Sequence, residues 1–204
     1  MGKFINQQSY NKIAKEWHEF RFKSKPNQII VDFAQLLKPR GNILDVGCGS
    51  GYPIAHYLAA QGFQITGIDV AANMIAIARS MNIAHANFDV QDILTFRSPQ
   101  RFDAVIAFDS LFHLEPQDQL LALTTIATHL QFNGFFLMTH GKRKGETTGA
   151  MFGEPFYYSS LDAAMYLSHL KTLGFTIIQS MEDYQEITTG TRDFLLIAKK
   201  TSTI

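Results

Sequence analysis

Three features of the 204-residue chain predict an α/β fold built on a doubly wound, mostly parallel sheet. Short β-rich runs alternate with helical periods between residues 42 and 140. A glycine-rich turn joins the first such run to the helix that follows it. The tail then breaks the alternation with two strands that have no room for a helix between them.

Taken in order, Tyr10, Ile13, Ala14 and Trp17 stand at i, i+3, i+4 and i+7, with Asn11, Lys12, Lys15 and Glu16 between them. That spacing predicts an amphipathic first helix. A second helix is expected over 27–37, starting after Pro26 and stopping before Pro39. Residues 42–48 read as a short buried strand running into the glycine turn. A helix follows over 52–61, ended by Gly62. Strand 64–70, helix 71–81 and strand 86–90 come next. Residues 102–109 form a further strand, and 116–130 a helix whose Pro116 is harmless in a first turn. Residues 134–140 are the fifth strand.

A loop is expected over about 141–158, and then a helix over 160–173 that ends at Gly174. It carries Ala163, Tyr166, Leu167 and Leu170 on one face. Strands 175–184 and 193–200 follow, joined only by a turn-like Thr-Thr-Gly-Thr stretch, so the two must pair antiparallel. One of them therefore runs against the rest of the sheet.

Composition narrows the function. The chain has 18 basic and 18 acidic residues, which argues against nucleic-acid binding through a general basic surface. A single cysteine makes an intrachain disulfide impossible. The N-terminal stretch lacks the apolar run of a signal peptide, and Asn6 stands where a myristoylation signal needs Ser or Thr. No apolar run approaches the roughly 18 residues of a membrane helix. The expectation is a soluble, cytoplasmic, single-domain protein with no membrane partner.

The chemistry centres on Gly47-Cys-Gly-Ser-Gly51, between the first strand and its helix. Glycines there let the backbone turn tightly and let a ligand approach closely, while the helix start offers free N–H groups. The dinucleotide fingerprint wants glycine at a sixth position that is occupied here by Tyr52. The second strand ends in Asp69, 22 residues after Gly47, where a carboxylate can accept from both ribose hydroxyls of an adenosine. Glycines that merely punctuate a turn, with Asp69 capping the next helix, are the plainer alternative.

Residues 43–51 (Ile-Leu-Asp-Val-Gly-Cys-Gly-Ser-Gly), Gly-Ile-Asp69, Gln-Asp92-Ile and Phe-Asp-Ala-Val-Ile-Ala-Phe-Asp109 resemble the successive motifs of class I S-adenosylmethionine-dependent methyltransferases. The resemblance covers roughly residues 40–140. It implies a Rossmann-like seven-stranded sheet whose final strand inserts antiparallel, with S-adenosylmethionine as cofactor. It further implies a lid over 1–40, a cofactor core over 41–140 and an acceptor region over 141–204. Under it Asp45 faces the cofactor's ammonium, Gly47, Cys48 and Gly49 line its amino acid moiety, and Asp69 binds the ribose. Val70 and Met74 pack near the adenine, Asp92 accepts from the adenine amino group, and Ile93 packs on the ring. Phe108 and Asp109 lie where the fourth strand meets cofactor and acceptor. Tyr10 and Trp17 belong to the helix that covers the cofactor, or simply to the core. The acceptor is expected to be a small molecule. A regulatory protein that binds the cofactor without transferring methyl, and a nicotinamide oxidoreductase, are the alternatives.

Cys48 sits inside the cofactor loop, the wrong place for a nucleophile. The seven histidines show no metal-ligand spacing, so no metal is expected. His113, just past the fourth strand, is the catalytic candidate: a neutral imidazole there can take a proton from an acceptor, unless it only packs beside the helix at Pro116. Arg143, in a run of three cations after the fifth strand, and Tyr157 and Tyr158 are the acceptor-binding candidates. The sequence carries no sign of oligomeric state.

Overall fold

A computed structural model describes residues 2–186 and 190–202. Thr188 and Thr189 of the expected turn lie outside the described residues. Seven strands form the main sheet: β1 (Asn42–Val46), β2 (Gln64–Asp69), β3 (Ala86–Val90), β4 (Phe102–Ala107), β5 (Leu130–His140), β8 (Phe175–Glu186) and β9 (Gly190–Lys200). Their spatial order is β3-β2-β1-β4-β5-β9-β8. β1 pairs in parallel with both β2 and β4, with Asp45 opposite Gly67 on one side and Ile106 on the other. β9 is antiparallel to β5 and to β8, so the reversed strand lies inside the sheet and β8 closes its edge.

Helices cover both faces because neighbouring residues of each central strand point to opposite sides. Leu44, Val46, Val105 and Phe136 join one core with Leu123 and Ile126 of α6 (Pro116–His129) and Tyr166 and Leu170 of α7 (Ala163–Thr172). Ile43, Ile65, Ile106 and Leu137 join the other, with Phe33 of α3 (Gln28–Gln35), Leu58 of α4 (Ile54–Ala60) and Ile75 of α5 (Ala72–Ser80). Each fully buried Leu, Ile or Phe of these two layers contributes on the order of 2–3 kcal/mol. The expected doubly wound, seven-stranded sheet is therefore present.

Two expectations are corrected. The first helix is two: α1 (Gly2–Lys12) and α2 (Ala14–Phe22), separated by a bend at Ile13. The bend is a single residue, since Ile13 N–H still donates to Ser9 C=O and Trp17 N–H to Ile13 C=O. It lets each segment find its own floor, α1 on the strand β7 (Glu154–Ser160) and α2 on α5. The second correction concerns 141–158, which is a hairpin rather than a loop. β6 (Gly145–Met151) pairs antiparallel with β7 (Glu154–Ser160), with Thr147 opposite Tyr158 and Gly149 opposite Phe156. The turn residues Phe152 and Gly153 both have positive φ (50° and 81°), the combination that matches the right-handed twist of a hairpin. Glycines and charges in β6 mask its strand character, because that strand is exposed and buries no apolar face.

α1 is stitched to the hairpin by side chains. Asn6 Nδ2 donates to the Tyr157 carbonyl (2.8 Å), Asn6 Oδ1 accepts from Tyr157 N–H (2.8 Å), and Ser9 Oγ donates to the Pro155 carbonyl (2.6 Å). The N-terminal helices and the hairpin thus form one cover over the carboxyl ends of the strands. No helix among the described residues is long and apolar enough to cross a membrane.

Candidate active site

The strand order reverses between β1 and β4, and ligands of such sheets settle in the crevice outside their carboxyl ends. All thirteen residues expected at the cofactor line a single cavity in that crevice, and His113 lines it too. From the first strand and its turn come Asp45, Gly47, Cys48 and Gly49. From the second come Asp69 and Val70, with Met74 one turn into α5. Asp92 and Ile93 follow β3, Phe108 and Asp109 follow β4, and Tyr10 and Trp17 reach down from the cover.

Backbone geometry explains the glycines. Gly47 has φ +75°, and a Cβ added there would lie 2.4 Å from Ser110 Cβ; Gly49 has φ +54°. At Gly47 the Ser110 side chain leaves no room for a Cβ, while Gly49 has room and needs glycine only for its φ. Gly62 also has positive φ (+90°) but no neighbour within 4 Å, so it separates strain from crowding. Gly62→Ala should cost only the left-handed penalty of about 1–2 kcal/mol. Gly47→Ala should add an overpacking cost of about 1–3 kcal/mol and alone should weaken cofactor binding. Thermal melting and calorimetric titration of the two variants with S-adenosylhomocysteine check both statements.

Asp69 is anchored from two sides. Its Oδ2 accepts from Gly49 N–H (3.0 Å) and its Oδ1 from Ala71 N–H at the start of α5 (2.8 Å). Burial raises its pKa, and the N–H groups of Ala71, Gly49 and Val70 pull it back down. It holds the turn before the next helix and lines the cavity at once, while the cap of α5 comes from Asn11, whose Oδ1 accepts from Asn73 N–H (2.9 Å). Asp45 is only 3% exposed, and its carboxylate makes no hydrogen bond or ion pair among the described residues. Burial first, and then the charge of Asp69, push its pKa up to about 7. Cys48 is buried in the apolar layer beneath the loop, and burial drives its thiol pKa well up, so it is an inert packing group.

A hydrogen-bond network sets the tautomer of His113. Asn6 Nδ2 spends its two protons on the carbonyls of Tyr157 and of His113 itself (2.8 and 3.2 Å). His113 Nδ1 lies 3.0 Å from both the Tyr157 carbonyl and Asn6 Nδ2; with both Asn6 protons directed to carbonyls, Nδ1 is assigned as the donor to Tyr157. Nε2 then accepts the Tyr10 hydroxyl at 2.9 Å. Burial pushes the His113 pKa down to about 4, against the opposing pull of the Tyr157 carbonyl and of Asp109. Burial also raises the Tyr10 pKa, so at neutral pH a neutral imidazole holds a protonated phenol.

Asp109, in the left-handed conformation (φ 53°), accepts a fork from Arg192 of β9: Nε to Oδ1 at 2.7 Å and Nη2 to Oδ2 at 2.6 Å. Thr139 Oγ1 donates to Asp109 Oδ1 (2.9 Å) and accepts from its N–H (2.7 Å). A second hollow opens beside this pair, under the hairpin. Tyr10, Trp17, Asp109 and His113 line both hollows, while Phe112, Tyr158, Arg143 and Arg192 line only the second. The Tyr157 ring is not brought there: it lies on the other side of β7, against Gly2, with its hydroxyl on Glu146 Oε2 (2.7 Å). What Tyr157 contributes is the main-chain carbonyl that orients His113.

Several lining residues were not expected. Asn6, Arg21, Gln91 and Ser110 reach the first cavity, and Arg192 the second. Arg21 had a readable signal, since it continues the buried register 10, 14, 17, 21 with a charge. Arg192 had none, because its partner is 83 residues away. Among the described residues no three His, Cys, Asp or Glu side chains are grouped to hold a metal ion.

A glycine loop and an acidic strand tip at the switch point of a doubly wound sheet define a nucleotide-cofactor-binding α/β enzyme fold, and a reversed strand inserted between β5 and β8 narrows that class. The chain belongs to the methyltransferase-domain family, whose model matches residues 17–179. It is 31% identical over 147 residues to phosphoethanolamine N-methyltransferase 1 of Arabidopsis thaliana, covering 69% of this chain and 30% of that protein. It is 30% identical over 139 residues to a ubiquinone biosynthesis O-methyltransferase of Xanthomonas campestris, covering 62% of this chain and 57% of that one. The chain thus spans 30% to 57% of the length of these curated relatives. In fold it is similar to magnesium protoporphyrin IX methyltransferase of Synechocystis with bound S-adenosylhomocysteine, with a TM-score of 0.75 at 17% identity, over 98% of this chain and all of that one. A methyltransferase of Methanosarcina mazei aligns with a TM-score of 0.71 at 20% identity, over 87% of this chain and 99% of that one.

Proposed function

We propose that this chain transfers a methyl group from S-adenosylmethionine to a small-molecule acceptor. The observation that carries the reading is the junction of the two hollows at Tyr10, Trp17, Asp109 and His113. A donor lying along the glycine loop and an acceptor lying under the hairpin meet there, as direct in-line displacement requires. The curated relatives, a phosphoethanolamine N-methyltransferase and a ubiquinone biosynthesis O-methyltransferase by name, support a small acceptor.

The residues present fit the cofactor. A carboxylate offers about four acceptor directions. The Gly49 and Ala71 N–H groups each take one on Asp69, leaving others for a ribose diol. Val70, Met74 and Ile93 supply apolar surface for an adenine, with Asp92 beside them. Asp45 suits an ammonium group. Ser110 Oγ is buried with no partner among the described residues, a hydroxyl that a bound polar atom would satisfy. When bound, the cofactor supplies a methyl that is already electrophilic on its sulfonium. The chain's own task is then alignment and exclusion of water, which α1, α2 and the hairpin perform as a cover. The Tyr10 hydroxyl, held by His113 Nε2, is placed to pass an acceptor proton to that nitrogen, and the nearby Asp109 charge favours the resulting imidazolium. Arg143 and Tyr158 would hold the acceptor.

The test is methyl transfer from labelled S-adenosylmethionine to a panel of phenols, amines, thiols and carbon acids. Transfer to at least one, with S-adenosylhomocysteine formed in step, is the expected result. Firm cofactor binding with no transfer to any would replace this reading by the regulatory one. With the acceptor found, His113→Ala should lower kcat by about 100-fold while cofactor affinity stays within about threefold. Unaltered kcat would return His113 to packing.

A further inference from the structure

We propose that the second hollow takes a flat aromatic ring, so that the methyl acceptor is an aryl compound rather than an alkyl amine. This rests on the methyltransferase reading above, in which that hollow holds the acceptor. Five rings follow one another along its wall. Trp17 meets Tyr10 at 6.0 Å between centroids, and Tyr10 meets His113 at 5.4 Å. His113 in turn meets Phe112 at 4.7 Å and Tyr158 at 5.1 Å. Each of these side chains is only half-buried, so ring surface is left bare toward the hollow. Phe156, fully buried, backs the wall at 4.8 Å from Tyr10.

The polar groups around these rings are mostly spent within the chain. Lys142 is held by Asp183 (2.6 Å) and Arg192 by Asp109 (2.6 Å). Ser159 Oγ donates to the Leu114 carbonyl, Ser160 Oγ to the Gly141 carbonyl and Thr139 Oγ1 to Asp109. A ligand that depended on many hydrogen bonds would find few partners here, whereas a ring packs edge-to-face or offset on the wall without needing any. The hydroxyls of Thr147 and Tyr158 and the guanidinium of Arg143 have no partner among the described residues. All three lie on the hairpin or the segment leading into it, so they are left to hold substituents on the outer edge of the ring. The reacting edge then faces the junction at His113. Rings also attract ammonium ions, and charge decides against that occupant. Asp109 is neutralised by its fork, Glu146 holds the Tyr157 hydroxyl, and of the lining carboxylates only Asp193 has no partner among the described residues. Three cations, Lys142, Arg143 and Arg192, line the same hollow.

The experiment is calorimetric titration of the full chain, preloaded with S-adenosylhomocysteine, with ring compounds and their saturated counterparts. The pairs are catechol with cyclohexane-1,2-diol, 2-naphthol with 2-decalol, and 4-hydroxybenzoate with 4-hydroxycyclohexanecarboxylate; tetramethylammonium is the cationic rival. Binding is read rather than turnover because phenols and alcohols differ as nucleophiles. At least one ring compound should bind about 10-fold more tightly than its saturated counterpart and than tetramethylammonium. Phe112→Leu and Tyr158→Leu, which keep apolar volume without a ring, should each lose most of that preference. Their affinity for S-adenosylhomocysteine should stay within about threefold of the parent's, which also shows that they are folded. Equal binding within every pair, binding of none of the compounds, tighter binding of tetramethylammonium, or a ring preference intact in both variants overturns the aromatic acceptor. With S-adenosylhomocysteine firmly bound, each of these results leaves the methyltransferase reading standing. Failure of the full chain to bind S-adenosylhomocysteine would overturn that reading and the aromatic acceptor together.

Discussion

Asp69→Ala should lower affinity for S-adenosylhomocysteine on the order of 100-fold and destabilise the protein, two effects with one origin. The carboxylate accepts from Gly49 N–H and Ala71 N–H while it faces the cavity. Its removal strips the ribose of a charged acceptor, worth about 1.5–3 kcal/mol, and strands two backbone donors at about 1–3 kcal/mol each if water does not reach them. The glycine loop would also lose its tie to the end of β2, so Gly49 is free to drift from the geometry the cofactor needs. Asp69→Asn keeps the shape and one good acceptor, and should fall between. Titration calorimetry and thermal melting of the free proteins separate the two effects. Unchanged affinity in the alanine variant would remove the adenosine from its proposed seat.

Asp45→Asn should act in opposite directions on stability and on binding. Burial and the neighbouring Asp69 hold the folded pKa near 7, far above the ordinary value of about 4. A group whose folded pKa is raised contributes stability that is fully present below its unfolded pKa and is lost as pH rises through the folded value. The free protein should therefore lose stability between about pH 4 and pH 7 through this one side chain. The neutral amide removes that loss. At pH 8 free Asp45→Asn should be more stable than the parent by on the order of 4 kcal/mol, about 10 °C in Tm for a chain of this size. Below about pH 4, where the carboxyl is protonated in the folded and the unfolded chain alike, the two should melt alike. Affinity for S-adenosylhomocysteine should nonetheless fall at least tenfold at pH 8, because the ammonium loses its anion. Equal melting temperatures at pH 8 would mean that the carboxylate is solvated in the free protein.

His113 and His140 work against that trend at the acid end. His140 is buried with Nε2 on the Tyr166 hydroxyl (2.8 Å), and burial pushes its pKa down to about 3, as it pushes His113 to about 4. Both must stay neutral in the fold while the unfolded chain protonates them below about pH 6.5. Falling pH thus favours the unfolded state through the histidines, just as rising pH does through Asp45. The two windows overlap, and because two histidines outweigh one aspartate below about pH 6.5, the three groups together favour the fold most at about pH 6.5–7.

The layout of the sheet was readable in the chain because its signals are local and repeated. Ile43 and Leu44, and Val105 and Ile106, lie next to one another in apolar runs that only a strand covered on both faces can bury. The positive φ of Gly47 and Gly49 and the acidic tip at Asp69 are likewise demanded by neighbours a few residues away. That is why thirteen expected residues meet in one cavity. The hairpin over 145–160 was missed because β6 is exposed, so no apolar alternation marks it. The bend at Ile13 was missed because the helical register continues across it.

Contacts between distant segments are another matter. Arg192 meets Asp109 across 83 residues, and Asn6 holds Tyr157 across 151. Nothing in the local pattern around either partner requires such a meeting, since polar side chains at a surface position and in a closed network look the same in one dimension. Which way the Tyr157 ring turns follows from β7 pairing with β6 and packing on α1, and that pairing sends Tyr158 to the hollow instead. The sequence by itself determined the strand order's raw material, the glycine loop and the acidic tip of the second strand, all short-range features of the chain. Only the tertiary structure decided which charges are neutralised and which are left waiting, because the energy of a buried ion depends on what the rest of the fold brings within a few ångströms of it.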